Sequence, residues 1–431
     1  MRNSINRSQP SSVRFGLTKT GFVLFPVLVF LLPFQVFSKS IQVCDVCEYK
    51  SLKTAISAAS AFDSILVKKG HYQEFNLVID KPLTLLGENF PIIDANGKGS
   101  IFLITDTRSV EISGFALVNV KPSFLEDLAA VKVMNSPQCI INNNQIINTC
   151  YGIYLSHSDS CLIEKNNLKA YGKRESSSGN GIHLWYSNNA TIQYNQVSGH
   201  RDGIYFEFVE NSLIQKNYCH DQIRYGLHFM FSHGCSYVEN YFQNNGAGVA
   251  VMYSKKINMI KNQFADNWSQ ISHGVLLKDI SDSKITQNIF RRNTIAIYAE
   301  GCNRNEIMQN EFRENGWGMK ILGNCEENNI LQNNFFSNTF EVVTNSSRNK
   351  NMFNENYWSN YNGYDLNHDG YGDVPHSPIT LYSYMIEEVP SSIILLRSLF
   401  IDLLNMAEKM TPVITPESYK DEKPKMNPHE W

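Results

Sequence analysis

Across 431 residues, 38 Lys and Arg stand against 41 Asp and Glu, a net charge of −3, with the basic residues scattered along the chain. That balance argues against a dedicated nucleic-acid binder. Nine cysteines at irregular spacing do not make the dense framework of a small disulfide-stapled domain, and past the N-terminus no stretch is apolar enough to span a bilayer.

Residues 1–38 read as a signal peptide. Four basic side chains and no acid precede the apolar run "GFVLFPVLVFLLPFQVF", and small residues at Val36 and Ser38 suit cleavage near Ser38. The expectation is an exported protein. Soon after comes "CDVC", in which Cys44 and Cys47 suit a local disulfide or inert thiols, with a redox or soft-metal role as the weaker reading.

From residue 39 to about 360 the chain repeats. Asn144, Asn166, Asn195, Asn217, Asn240, Asn262, Asn288, Asn310 and Asn333 each have an apolar residue three before and another two after, at steps of 22, 29, 22, 23, 22, 26, 22 and 23, and a further copy is centred on Asn356. Copies such as "IQYNQV", "IQKNYC" and "MIKNQF" read as strand, Asn turn, strand. A period of about 22 residues with no helix-length segment predicts an all-β, right-handed parallel β-helix, each coil rising by a strand spacing of about 4.8 Å. The Asn side chains are expected to stack at a bend and satisfy backbone groups there. Ile192, Val197, Ile214, Phe242, Phe264, Phe290, Phe312 and Phe335 are expected in the core. Cys139, Cys161 and Cys235 share one register and Cys302 and Cys325 another, so buried thiols or a disulfide between stacked neighbours both fit.

About eight residues after each Asn a second, Gly-led strand follows: "GIHLW", "GIYFE", "GLHFM", "GVAVM". Alternation sends Ile182, Leu184, Ile204, Phe206, Leu227, Phe229, Val249 and Val251 inward, and His183, Trp185, Tyr205, Glu207, His228, Met230, Ala250 and Met252 outward. A merely solvated face would not stack imidazoles, thioethers and aromatics in this way, so the strip is expected to be an interaction surface. His183, His228, Met230 and Met252 are candidate copper ligands, since imidazole and thioether suit Cu(I). The insertions "YGKRESSSGNG" and "WSQISHG" should emerge beside the same sheet.

Residues 361–388 form an Asp/Asn/Gly-rich loop region in which Asp365, Asn367, Asp369 and Asp373 resemble the first part of a calcium loop, with Asx-turns as the alternative. Residues 389–431 hold a helix opened by Pro390, with Ile394, Leu395, Leu399, Leu403, Met406 and Met410 at helical spacing, and a tail. Its apolar face suits docking to a membrane partner or capping of the solenoid end.

The segments "VIDKPLTLLGENFPIIDANGKGS", "RDGIYFEF" and "RYGLHFMFS", together with the C-terminal tail from "LLRSLFIDLLNMAEKM" onward, resemble the NosD family of exported accessory proteins of nitrous oxide reductase. The resemblance implies a non-enzymatic role beside the permease and ATPase of an ABC transporter, in copper passage between a copper-chaperone lipoprotein and the reductase. It places the family's outward residues on His183, Arg201, Asp202, Tyr205, Glu207, Arg224, Tyr225, His228, Met230 and Met252, with Trp185 in the same partner-facing strip. It also implies that the terminal helix, with Leu395, Leu399 and Leu403, docks to the permease. The sequence has no P-loop, as a division of labour with a separate ATPase requires. The alternative from another class is a β-helix polysaccharide lyase or uronate epimerase, for which Arg201, Asp202, Glu207 and Arg224 supply acid, base and charge-neutralising groups in outline.

Overall fold

Strand pairing in this chain runs from one coil to the next. The structure, a computed structural model, describes residues 39–123, 125–346, 350–410 and 419–431, so the signal peptide read from residues 1–38 lies outside the described residues. Three parallel sheets form the walls of a right-handed solenoid. The first has 14 strands, from Ser40–Val43 to Lys350–Asn354; the second has 12, from Leu77–Ile79 to Phe340–Val343; the third has 13, from His71–Tyr72 to Tyr357–Trp358.

The Asn residues form the expected ladder along one corner. Asn144 donates from its backbone N and from Nδ2 to Asn166 Oδ1, both at 3.1 Å, while Nδ2 also reaches Ile112 O at 3.0 Å. The same pattern continues to Asn333 and Asn356. Beneath it Phe242, Phe264, Phe290, Phe312, Phe335 and Trp358 stack one per coil at 4.2 to 5.5 Å. Burial of these rings is the main stabilising term, and the ladder removes the cost of burying the bend's polar groups. Glycine opens the second-sheet strands for a steric reason: a Cβ on Gly203 would lie 2.5 Å from Gly226 O, and one on Gly226 2.7 Å from Gly248 O.

Both ends are covered. Helix α1 (Leu52–Ala58), which the repeat pattern did not predict, is capped by Ser51 and packs Leu52, Ala55 and Ile56 into the core at the N-terminal end. At the other end residues 419–431 return as part of a further coil, pairing Asp421 with Phe353 and Lys425 with Tyr357.

The C-terminal segment is helical in three pieces rather than one. Helix α2 (Leu381–Glu388), capped by Thr380, precedes the expected start; a 3₁₀ turn spans Pro390–Leu395; and α3 is Leu399–Met410. The break falls where Arg397 takes a φ of 67° and Ser398 accepts from the first amides of α3. A serine that satisfies those amides favours a new helix start over continuation. Tyr382 and Ile386 of α2 and Ile401 of α3 pack with Phe340 and Val343 over the last strand of the second sheet. No helix among the described residues is long and apolar enough to cross a membrane.

Candidate functional site

Four strands of the second sheet carry the outward strip: Ile182–Trp185, Asp202–Glu207, Tyr225–Met230 and Ala247–Met252. Their inward residues Ile182, Leu184, Ile204, Phe206, Leu227, Phe229, Val249 and Val251 are fully buried. Outside, the register puts His183, Tyr205, His228 and Ala250 in one row and Trp185, Glu207, Met230 and Met252 in the next.

The first row is covered by its own neighbours. His183 stacks on Tyr154 at 4.7 Å and on Tyr205 at 4.7 Å; Tyr205 meets His228 edge-on at 5.0 Å, and Tyr225 closes the far side of His228 at 4.9 Å. His183, Tyr205 and His228 are therefore buried although they lie on the outer face. Tyr154 and Lys132, which sits over its ring at 5.4 Å, extend the row by two coils. The signal for Tyr154 was present in "GIYLS", where it holds the same outward position as His183.

Asp202, fully buried, organises the charges. Arg224 donates from Nε to Oδ1 at 2.9 Å and from Nη2 to Oδ2 at 2.5 Å, and Arg201 Nε lies 3.9 Å away. His228 Nδ1 faces both the same carboxylate, at 3.5 Å, and Arg224 Nη2, at 3.4 Å, while its Nε2 is buried without a partner among the described residues. Burial opposes charge on Asp202, yet the hydrogen bonds from Arg224 and His228 and the guanidinium charge carry its pKa down to about 2. Burial, reinforced by Arg201, holds His183 neutral with a pKa lowered to about 3, while burial and Glu207 push Tyr205 up to about 12. Glu175, in the first insertion, adds to the field at Arg224, placing that insertion beside the strip.

The copper expectation is overturned. No group of three or more His, Cys, Asp or Glu side chains among the described residues is placed to hold a metal ion. His183 and His228 are two coils apart with Tyr205 between them, about 10 Å along the axis. His183 Nδ1 also accepts from Asn180 Nδ2 at 3.0 Å, and Met230 and Met252 belong to the neighbouring row. Four donors so spread do not converge on one ion. Calcium is overturned with it: Asp365 accepts from the amides of Asp369 and Gly370, Asn367 from Asp369, Asp369 from Tyr371 and Asp373 from Leu366, so these oxygens serve as Asx-turns. Cys44 and Cys47 form a disulfide, which removes them as metal ligands; Cys139, Cys161, Cys302 and Cys325 remain buried thiols.

Leu395, Leu399 and Leu403 lie apart from the strip, on the C-terminal helical segment. Leu399 is 74% and Leu403 57% exposed, beside exposed Ile394, Phe400 and Met406.

A family profile described as periplasmic copper-binding protein (NosD) matches residues 169–363, which span the whole strip. Two curated proteins named "Probable ABC transporter binding protein NosD" are similar over most of their length. That of Pseudomonas aeruginosa is 28% identical over 81% of this chain and 85% of its own, and that of Stutzerimonas stutzeri 27% identical over 83% and 85%. Over most of its length the chain is thus similar to NosD proteins. Among solved structures, the A-module of mannuronan C-5 epimerase AlgE6 from Azotobacter vinelandii shares 15% identity with a TM-score of 0.51, covering 71% of this chain and 89% of that one. The GH87 α-1,3-glucanase of Streptomyces thermodiastaticus shares 13% with a TM-score of 0.55, covering 70% and 65%. These establish a common fold between this chain and carbohydrate-active β-helices, and nothing of activity.

Proposed function

We propose that this protein is a non-catalytic, extracytoplasmic scaffold that works beside an ABC transporter and positions partner proteins during copper-centre maturation of nitrous oxide reductase, without itself holding the metal. The similarity to ABC-transporter binding proteins over more than four-fifths of the chain carries the reading. The separation of two surfaces supports it: an apolar helical face around Leu399 and Leu403 for the permease, and the outward strip of the second sheet for a lipoprotein chaperone or the reductase. Co-purification of the full chain with its cognate permease and ATPase is the test. Retention should be lost in the variant L399D/L403D, whose fold should be intact because these two side chains are mostly in solvent. Absence of any association with the wild-type chain overturns the proposal.

One observation favours a second reading, acid–base chemistry on an acidic polysaccharide. His228 is oriented by Asp202, Tyr205 lies against it, and Arg201 and Arg224 stand ready to neutralise a carboxylate. Incubation with polymannuronate or polygalacturonate, followed by absorbance of unsaturated products and by NMR for inversion at C5, decides between the two. Turnover that disappears in H228Q and Y205F establishes the enzyme.

A further inference from the structure

Directly after the outward row of Trp185, Glu207, Met230 and Met252, nine consecutive coils turn through one residue with positive φ. Along the axis this corner is held by Asp106, Asn135, His157, Tyr186, Phe208, Phe231, Tyr253, Asp279 and Gly301, with φ between 45° and 65°. Left-handed backbone suits Gly, Asn and Asp and crowds a Cβ that bears a ring. Four of the five outer rungs obey that preference, His157 being the exception, and the inner four, Tyr, Phe, Phe and Tyr, do not.

These rings stack nearly parallel: Tyr186 on Phe208 at 4.7 Å, Phe208 on Phe231 at 5.3 Å and Phe231 on Tyr253 at 5.0 Å, with His157 on Tyr186 at 5.4 Å. Yet Tyr186, Phe231 and Tyr253 each remain about 40% exposed. Backbone strain and exposed apolar surface in the same rungs point to function rather than folding. Trp185, Met230 and Met252 border the stack, and between them stands Glu207, which makes no ion pair among the described residues. The result is an apolar ridge about 15 Å long with one carboxylate outside any ion pair near its middle.

We propose that this ridge docks a polypeptide segment of a partner protein whose apolar side chains flank a single Lys or Arg that meets Glu207. The inference rests on the reading of the second sheet's outer side as a binding face. A sugar ring packs on aromatic faces, and here the faces are occupied by one another. An anionic membrane calls for a basic surround, whereas the neighbouring corner rungs are His157, Asn135, Asp106 and Asp279, and Lys278, next to Met252, is paired with Glu300 at 3.3 Å. A segment of apolar residues around one cation satisfies both the ring edges and the carboxylate.

A random 12-residue peptide phage library selected on the purified full chain tests this, with the variant Y186N/F208N/F231N/Y253N for counter-selection. Recovered peptides should share apolar positions around one Lys or Arg. A synthetic copy, read by fluorescence anisotropy, should bind at least about thirtyfold more weakly to the fourfold variant and about tenfold more weakly to E207Q. Each single Asn variant should melt at or above the wild-type temperature, because Asn suits the corner. If the fourfold chain does not fold, F231N and E207Q carry the comparison. The proposal fails if no common pattern emerges, if the recovered peptides bind both variants as they bind wild type, or if the single variants each lose more than about 5 °C, which would make the rings a folding device. Permease retention is read separately through the α3 leucines, so an empty selection with intact co-purification removes this inference alone.

Discussion

Arg224 closes on Asp202 of the preceding coil with two parallel hydrogen bonds, and it does so around a carboxylate that is fully buried while the guanidinium keeps contact with water. Such a pair tolerates loss of one partner badly, because the other charge is stranded. Asp202→Asn should lower stability by about 3 kcal/mol in urea denaturation at pH 7. The pair's contribution should also depend on pH. The folded-state pKa of about 2 lies below the ordinary carboxylate value, so the stabilisation is complete above about pH 4 and is lost as pH falls towards 2. Equal stability of wild type and D202N at pH 7 would contradict the assignment.

The Asn ladder ends on an aspartate. Asp421 Oδ2 accepts from Asn356 N and Nδ2, both at 2.9 Å, and from Trp358 Nε1 at 3.0 Å. Asp421→Ala strands three buried donors and should cost about 3 kcal/mol. Asp421→Asn keeps an oxygen in place, and burial already disfavours the charged carboxylate, so it should cost less than about 1 kcal/mol. The two midpoints in urea, compared at unchanged slope, decide the matter.

Buried imidazoles set the acid limit. Burial lowers His200 to about 4, against an opposing pull from the Cys150 backbone, and lowers His273 and His376 to about 4 as well. The unfolded chain takes up protons below about pH 6.5 while the folded chain does not, so stability falls as pH drops from about 6.5 to 4, by up to about 1.4 kcal/mol per pH unit for each imidazole. His200→Phe keeps the bulk and removes the titration. Relative to wild type it should gain about 2 kcal/mol between pH 7.5 and pH 5, measured by denaturation at both values.

The coil period, the Asn corner and the inward and outward rows were legible because a solenoid repeats one local decision many times, and alternation in "GIHLW" or "GLHFM" leaves little freedom. What each coil does once was not. Helix α1 and the return of Asp421 to the ladder's end lack any copy to compare with, and Ser398 interrupts a stretch whose apolar spacing alone reads as continuous helix. At the site the residue identities were legible but their convergence was not. His183 and His228 share a face in sequence, yet one intervening Tyr205 keeps them two coils apart, and periodicity gives direction along a row without the distance a metal requires. The aromatic corner was equally readable in its letters, but only φ shows that Phe208 and Phe231 occupy places that favour Asn.

Glu341 couples the end of the solenoid to the helices that cover it. It is buried in a cavity of about 210 Å³ lined by Phe340, Tyr382, Ser383, Leu396 and Ile401, and its Oε2 accepts from Asn338 Nδ2 at 3.1 Å. Burial pushes its pKa up to about 7, only partly offset by Asn338. A carboxyl raised in this way favours the folded state below its ordinary value and loses that advantage as pH climbs from about 4 to about 7, so ionisation works against the packing of α2 and α3 at alkaline pH. Glu341→Gln keeps the acceptor for Asn338 and cannot ionise. It should match wild type at pH 4 and exceed it by about 2 to 3 kcal/mol at pH 8. Hydrogen exchange of α2 and α3 should show the same pH dependence in wild type and none in E341Q; identical exchange in the two proteins at pH 8 would place the ionisation elsewhere.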